Sequence, residues 1–282
     1  MCKFCYEHTR KVWYLQDESF DIRSGRFLKI LPGRFREWFF NFLGYLLRDF
    51  IDESTADVNQ DLENREPYTG LKNMFYNFFA KNIIGGQVAS SLDHALQVLE
   101  KGEDFYLTYC SCKRGAGAGV DFRCIYVNHN ARVQRKLGTK DSGRFIDKDE
   151  AREIVLEHRN DGHFNTVMWG LRPKVDSICN CDYYCGGLRV PEIRWGLIPS
   201  MNVSRVSKSD LCDLDCEICI QMCHAKAITR PDKGQVVQVN EDKCIGCNIC
   251  ISNCPYGVFE ALPRKLYYDA IIGKKVKLNE RS

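Results

Sequence analysis

The chain has 282 residues, of which 44% are apolar and 12% aromatic, so it can bury a sizeable core and form about two domains. Its net charge of +3, with 27% charged residues, indicates a mixed surface and gives no case for nucleic-acid binding. Its sixteen cysteines are closely spaced, which is typical of metal ligation rather than of a disulfide lattice. We therefore expect a reducing compartment, the cytoplasm.

The N-terminus begins MCKFCYEHTRK, which is polar and contains no apolar signal segment. No apolar run reaches the roughly 18 residues of a transmembrane helix, so we expect no membrane span. Cys2 and Cys5 have the x2 spacing of half a metal site, which distant cysteines would complete. The alternative is a frayed terminus with incidental cysteines.

The segment 32–51, PGRFREWFFNFLGYLLRDFI, predicts a helix with Pro32 in its first turn. Its polar residues form one narrow stripe, and aromatic and aliphatic side chains cover the rest, which indicates a helix buried on most sides. Docking onto a partner subunit or a membrane surface is the alternative, and the mixed charge of the polar stripe favours a protein partner. An acidic linker at 52–66 and a second aromatic-rich helix at 71–80 follow, so residues 1–84 are predicted to be a helical N-terminal region.

Residues 85–200 contain two similar units, in each of which a helix leads to an apolar strand that ends in a Cys-x-Cys pair. The first unit joins a helix at 91–101 to a strand at 105–109. The second unit joins a helix at 148–159 to a strand at 175–178. We therefore predict an α+β middle domain with both Cys-x-Cys pairs at one edge.

Eight cysteines lie outside the two runs described next, and they are enough for one or two further four-cysteine sites: Cys2, Cys5, Cys110, Cys112, Cys124, Cys179, Cys181 and Cys185. We predict that they form one further site, holding an iron–sulfur cluster or zinc. The alternative is a set of unligated thiols, because free cysteine is often buried as a small hydrophobe. No Ser–His–Asp set or phosphate-binding loop accompanies them, so no catalytic residue is predicted.

The strongest motif is the run KCIGCNICISNCPYG near the C-terminus. Its four cysteines, Cys244, Cys247, Cys250 and Cys254, are spaced x2, x2 and x3, and Pro255 follows the last. This is the bacterial-ferredoxin spacing for a 4Fe–4S cluster. A zinc site or a disulfide cluster is the alternative, but zinc sites usually separate two close pairs by a longer gap.

A second, looser run precedes it, with cysteines spaced x3, x2 and x3 at Cys212, Cys216, Cys219 and Cys223. His224 stands where proline is expected, and the connection 228–240 predicts a hairpin. In two-cluster ferredoxins the fourth cysteine of each run ligates the other cluster. We therefore expect cluster 1 to be held by Cys212, Cys216, Cys219 and Cys254, and cluster 2 by Cys244, Cys247, Cys250 and Cys223.

Residues 203–262 thus resemble the bacterial-type dicluster 4Fe–4S ferredoxin domain. A wider resemblance, carried by MCKFCYEHTRKVWYLQ, CSCKRG and SICNCDYYC, is to longer 4Fe–4S-binding oxidoreductase-component proteins of anaerobic bacteria. The resemblance implies an iron–sulfur electron-transfer setting under anaerobic conditions.

The predicted architecture is α+β, with a helical part at 1–84, a middle domain at 85–200 and a dicluster ferredoxin domain with a basic tail at 201–282. We expect an electron carrier, or the electron-transfer subunit of a redox complex, that passes electrons through two 4Fe–4S clusters to a redox protein partner or to oxidoreductase subunits. One alternative is an oxidoreductase with its own catalytic or additional metal site built from the other cysteines. Another is a structural or redox-sensing module.

Overall fold

The computed structural model describes residues 12–20, 35, 38, 71, 86–115, 118–137, 143–169, 175–182 and 202–263. Residues 35, 38 and 71 are helical. The rest of the two predicted N-terminal helices, the acidic linker, Cys2, Cys5, Cys185 and the C-terminal tail lie outside the described residues.

A six-stranded antiparallel sheet forms the larger part of the described chain. Its strands are β1 (Gly86–Ser90), β2 (Phe105–Tyr109), β3 (Phe122–Val127), β4 (Gly143–Ile146), β5 (Phe164–Trp169) and β6 (Val175–Cys181). They lie in the order β1-β5-β6-β3-β2-β4. Both predicted strands are confirmed, and β6 continues through Cys181.

Within the described ranges, four α-helices accompany the sheet: α1 (Leu92–Lys101), α2 (Ser111–Gly115), α3 (His129–Leu137) and α4 (Lys148–Asn160). The Ser91 and Asp147 side chains cap α1 and α4 by accepting hydrogen bonds from backbone N–H groups of the first turns. The helices predicted at 91–101 and 148–159 are therefore confirmed. The second unit differs from the prediction in one respect, because α4 leads first into β5, which then forms a hairpin with β6.

The aliphatic core lies on one face of the sheet, where α1 and α4 pack against each other. It includes Val98, Leu99, Val155, Val167 and Ile178. Because side chains alternate along a strand, the residues next to Ile125 and Ile178 project from the opposite face. These neighbours are Cys124 and Cys179, which are direct partners across β3 and β6.

The second part of the described chain consists of short elements around the two cysteine runs. They are β7 (Asn202–Val206), α5 (Ile218–Gln221), β8 (Ile228–Thr229), β9 (Gln238–Val239), α6 (Ile249–Asn253) and β10 (Phe259–Pro263). Strands β7 and β10 pair antiparallel, and β8 and β9 form the predicted hairpin. None of the helices in the described ranges is long and apolar enough to span a bilayer.

A buried ion network joins β3 to the end of β6. Arg123 is fully buried and donates to Asp182 Oδ2 at 2.7 Å and to the Asp121 carboxylate. Burial alone would raise the pKa of Asp182, but hydrogen bonds from His163 and Arg123 outweigh it and hold the pKa well below its usual range. Asp182 therefore stays ionised and stabilises this end of the sheet.

We expect Asp182→Asn to lower the free energy of unfolding of the sheet by about 2 to 3 kcal/mol at pH 7, because it leaves a buried guanidinium short of one counter-charge. A depressed carboxyl pKa gives stability that is present above the unfolded value of about 3.9 and is lost only as the pH falls through the folded value. The deficit should therefore stay constant between pH 8 and pH 5, measured by urea titration followed by circular dichroism. Exposed Glu153→Gln is the control, and a deficit that fades by pH 5 would contradict the depressed pKa.

Candidate iron–sulfur site

The two cysteine runs are arranged as matching halves. Each contributes a buried cysteine to a short helix, Cys219 to α5 and Cys250 to α6. Cys254, the last cysteine of the second run, faces the first run across this pseudo-symmetric arrangement.

Cys254 lies in a pocket with the first three cysteines of the other run. The pocket is lined by Cys212, Cys216, Cys219 and Cys254, together with apolar side chains such as Val237 and Phe259. Burial raises the pKa of Cys219 to about 11, and the charges of Cys216, Cys254 and Cys212 act in the same direction. Four convergent thiols in an apolar pocket fit the ligand requirement of a 4Fe–4S cluster.

The remaining four cysteines are likewise neighbours. Burial raises the pKa of Cys247 to about 12, and Cys244 and Cys223 add to the shift. The pKa of Cys250 is also raised, mainly by burial, and Cys247, Cys244 and Cys223 add to this shift. The structure thus brings together Cys244, Cys247, Cys250 and Cys223, the set that sequence reasoning predicted for cluster 2.

Apolar side chains and backbone donors surround both sets. Ile228, Val237 and Val258 are buried among the cysteines, and the Ala227 amide donates to Cys223 Sγ at 3.2 Å. Such N–H···S hydrogen bonds and burial tune the potential of a bound cluster. Ile218 is 41% exposed and lines the pocket of Cys212, Cys216, Cys219 and Cys254.

Arg159 joins the sheet to the second run. It is 2% exposed and lies at the end of α4. Its guanidinium donates to the Cys247 backbone oxygen at 2.9 Å, to Ser252 Oγ at 2.8 Å and to Asn165 Oδ1 at 3.4 Å. A buried positive charge therefore touches the backbone of a predicted cluster 2 ligand.

His224 makes the matching contact from the first run. Its Nε2 donates to the Gly162 carbonyl oxygen at 2.8 Å, and its ring packs against Phe164. Gly162 has a φ of +87°, and a Cβ there would lie 3.2 Å from Met222 Cε. The glycine permits both the left-handed turn and the close approach, and the residue that replaces the expected proline serves to dock the run on the sheet.

The further site predicted from the other cysteines is partly brought together. Cys110, Cys112, Cys124, Cys179 and Cys181 converge in one cluster, together with Phe164 and Met168. Ala225, Ile245 and Cys247 of the two runs pack against this cluster. Cys2, Cys5 and Cys185 lie outside the described residues, so their part in the prediction stays a prediction.

Sequence reasoning missed Arg159 as a functional residue. In the sequence it is one of two basic residues in the last turn of a helix, where a positive charge is ordinarily explained by the helix dipole. Its contact with Cys247 spans 88 positions of sequence. A motif search could not find it, because its role depends on how two distant segments pack.

Comparison with known proteins identifies the domain. A family model described as a 4Fe-4S binding domain matches residues 236–259, which contain all four cysteines of the second run. This confirms the prediction of a 4Fe–4S binding domain in this part of the chain. No solved structure matches the chain.

The curated relatives include electron-transport and respiratory proteins. Electron transport protein HydN of Escherichia coli K12 is 33% identical over 84 residues, which cover 30% of this chain and 46% of HydN. The arsenate respiratory reductase iron-sulfur subunit ArrB of Shewanella sp. ANA-3 is 31% identical over 83 residues, covering 28% and 31%. The beta chain of respiratory nitrate reductase 2 of Escherichia coli K12 is 34% identical over 59 residues, covering 21% and 10%. The chain thus spans less than half the length of each of these relatives.

We expect Arg159→Gln to lower the reduction potential of the cluster predicted at Cys247 by on the order of 60 mV. Reduction adds negative charge, which the guanidinium stabilises, and a charge interaction of about 1.4 kcal/mol corresponds to about 60 mV for one electron. Redox titration followed by EPR measures the shift. The potential of the other cluster should change much less.

Two variants control this experiment. Arg159→Lys retains the charge and should retain most of the potential, whereas Arg152→Gln removes an exposed charge from the same helix and should change neither potential. Equal shifts for Arg152→Gln and Arg159→Gln would show that the burial of Arg159 beside Cys247 is irrelevant.

Proposed function

We propose that this protein carries single electrons through two 4Fe–4S clusters as a subunit, or a soluble partner, of a redox complex. Cluster 1 is held by Cys212, Cys216, Cys219 and Cys254, and cluster 2 by Cys244, Cys247, Cys250 and Cys223. When bound, the clusters supply one-electron reduction and oxidation. The chain's own residues supply thiol ligands, an apolar surrounding and hydrogen bonds that set the potentials.

The observation that carries this proposal is the sorting of the eight cysteines into two convergent sets. Each set combines three cysteines of one run with the fourth cysteine of the other. This is the arrangement of two-cluster ferredoxins, which transfer electrons. A single zinc site would not require two such sets.

The relatives support the role in a complex. HydN is named an electron transport protein, and ArrB is named an iron–sulfur subunit of a respiratory reductase. We therefore propose a redox protein partner, a cytoplasmic location and an anaerobic setting. We also propose the division into a helical region at 1–84, a middle domain at 85–200 and a ferredoxin domain at 201–282.

The function is tested on the full chain purified without oxygen. We expect iron and acid-labile sulfide, visible absorbance that dithionite bleaches, and recovery of that absorbance when a one-electron acceptor such as oxidised benzyl viologen is added. Cys216→Ser combined with Cys247→Ser should remove the iron of both sets and the transfer. Bound clusters that neither dithionite nor a stronger reductant bleaches would favour the structural alternative instead.

The crossed ligation has its own test, in which Arg159 serves as a marker for cluster 2. We expect Cys254→Ser to remove cluster 1 and to leave a cluster whose potential still shifts when Arg159→Gln is added. If each run instead held its own cluster, Cys254→Ser would remove the cluster beside Arg159. The surviving potential would then be insensitive to Arg159→Gln. The difference between the two titrations decides between these ligand sets.

A further inference from the structure

We propose that the cysteine cluster of the six-stranded sheet is a third iron–sulfur centre, which exchanges electrons with cluster 2. Four of the five cysteines Cys110, Cys112, Cys124, Cys179 and Cys181 would ligate it. This inference extends the proposed function, since it adds a centre to the electron path, but it rests on different residues.

The topology of the sheet brings the five cysteines to one place. Strands β2 and β6 both pair antiparallel with β3, so they run in the same direction on either side of it. Their C-terminal ends, which carry the two Cys-x-Cys pairs, therefore lie at the same edge of the sheet as the start of β3, which carries Cys124. Both Cys-x-Cys pairs lie at one edge, as the repeated helix-then-strand pattern predicts.

The alternation of side chains then places the thiols on one face. Cys179 and Cys181 are two residues apart on β6 and project to the same side, opposite to Ile178 in the aliphatic core. Phe164 and Met168 reach that side from β5, where Phe164 is the partner of Cys181. The sheet therefore keeps its aliphatic residues and its thiols apart.

The thiols are buried and sit among groups suited to a metal-bound sulfur. The exposed fractions of Cys110, Cys124, Cys179 and Cys181 are 2%, 9%, 6% and 2%. Backbone and hydroxyl groups approach two of them: the Lys113 amide donates to Cys110 Sγ at 3.4 Å, and Thr166 Oγ1 lies 3.5 Å from Cys181 Sγ. Hydrogen bonds to sulfur are a usual feature of the surroundings of iron–sulfur clusters.

The spacing of the sulfur atoms argues against a single zinc ion. Ligands of tetrahedral zinc, with Zn–S bonds of about 2.3 Å, lie about 3.8 Å apart. Among the described residues, the trio whose ligand atoms all lie within 4.8 Å of one another is His158, Asp161 and His163, and no three cysteines form such a group. The eight cysteines of the two runs likewise contain no trio whose sulfur atoms all lie within 4.8 Å of one another. Thiols at this spacing suit a cluster in which each sulfur binds a different iron.

The position of the five-cysteine cluster beside Cys247 indicates electron exchange with cluster 2. Cys247 and Ile245 pack directly against the five-cysteine cluster, and Arg159 and His224 fix the contact on either side. In the proposed step one electron passes from the third centre to cluster 2, so that one centre is oxidised and the other reduced by one electron. No bond is broken and no proton is transferred, and the redox partner supplies the electron to the third centre.

The test is the metal content and EPR spectrum of the full chain, purified without oxygen and reconstituted with iron and sulfide. We expect about twelve iron and twelve sulfide per chain, and a third reduced signal that interacts magnetically with cluster 2. Cys179→Ala combined with Cys181→Ala leaves only three of the five cysteines, so it should bring the iron to about eight and abolish the third signal. Cys110→Ala combined with Cys112→Ala, at a separate point of the chain, should do the same if the first variant does not fold.

Met168→Leu changes a side chain that packs against the same thiols without removing a cysteine, and it should leave the iron content unchanged. About eight iron in the wild-type protein, one zinc in place of the extra iron, or twelve iron in both double variants would overturn the third centre. The outcome is independent of the proposed function, which is tested separately by the loss of iron and electron transfer in Cys216→Ser with Cys247→Ser and by the bleaching of the bound clusters with dithionite.

Discussion

The rest of the structure depends on holding cysteine thiolates in surroundings from which water is excluded. Iron binds thiolates, yet burial raises the pKa of Cys219 to about 11 and that of Cys247 to about 12. At neutral pH such groups would lose their protons only where a metal replaces them. The elements around the runs are short, with helices of four and five residues and strands as short as two. Under the proposed ligation, metal binding would supply the cohesion that such short elements lack on their own.

The second constraint is the contact between the runs and the sheet. Arg159 is buried and donates to Asn165 of the sheet and to Ser252 and Cys247 of the second run, so any other docking that kept it buried would leave it short of two partners. His224 and Gly162 fix a second point, where a side chain on the glycine would meet Met222. These two polar contacts fix how the two cysteine runs are oriented relative to the sheet. Apolar packing alone would not fix that orientation. The orientation keeps the sheet's thiols against Cys247.

The parts of this protein that depend on short-range spacing could be predicted from the sequence. The grouping of the eight cysteines of the two runs into two neighbouring sets follows from cysteine spacing, and helix α4 follows from its periodicity and from Asp147 at its start. Strand β5 was not predicted from the sequence, because its place in the sheet depends on pairing with β1, nearly 80 residues away, and not on its own residue pattern. The contact of Arg159 with Cys247 was not predicted for the same reason, because it joins two segments that are far apart in the sequence. The convergence of the five sheet cysteines was anticipated only in outline, since the sequence shows two Cys-x-Cys pairs but not the strand order that places Cys124 between them.

The separation of aliphatic residues from thiols makes the strand register unusually consequential. A slip of one residue in β6 would move Cys179 into the aliphatic core and Ile178 to the thiol face. Buried amide side chains disfavour such a slip of β6. Asn180 is fully buried, donates to the Arg123 carbonyl oxygen at 2.8 Å and accepts from Asn165 at 2.8 Å, so it ties β6 to a strand on each side. After a slip, these amides would be buried without partners, at a cost of about 1 to 3 kcal/mol for each group. The polar residues between the two cysteines of β6 thus select the one register in which the thiols face the ferredoxin runs.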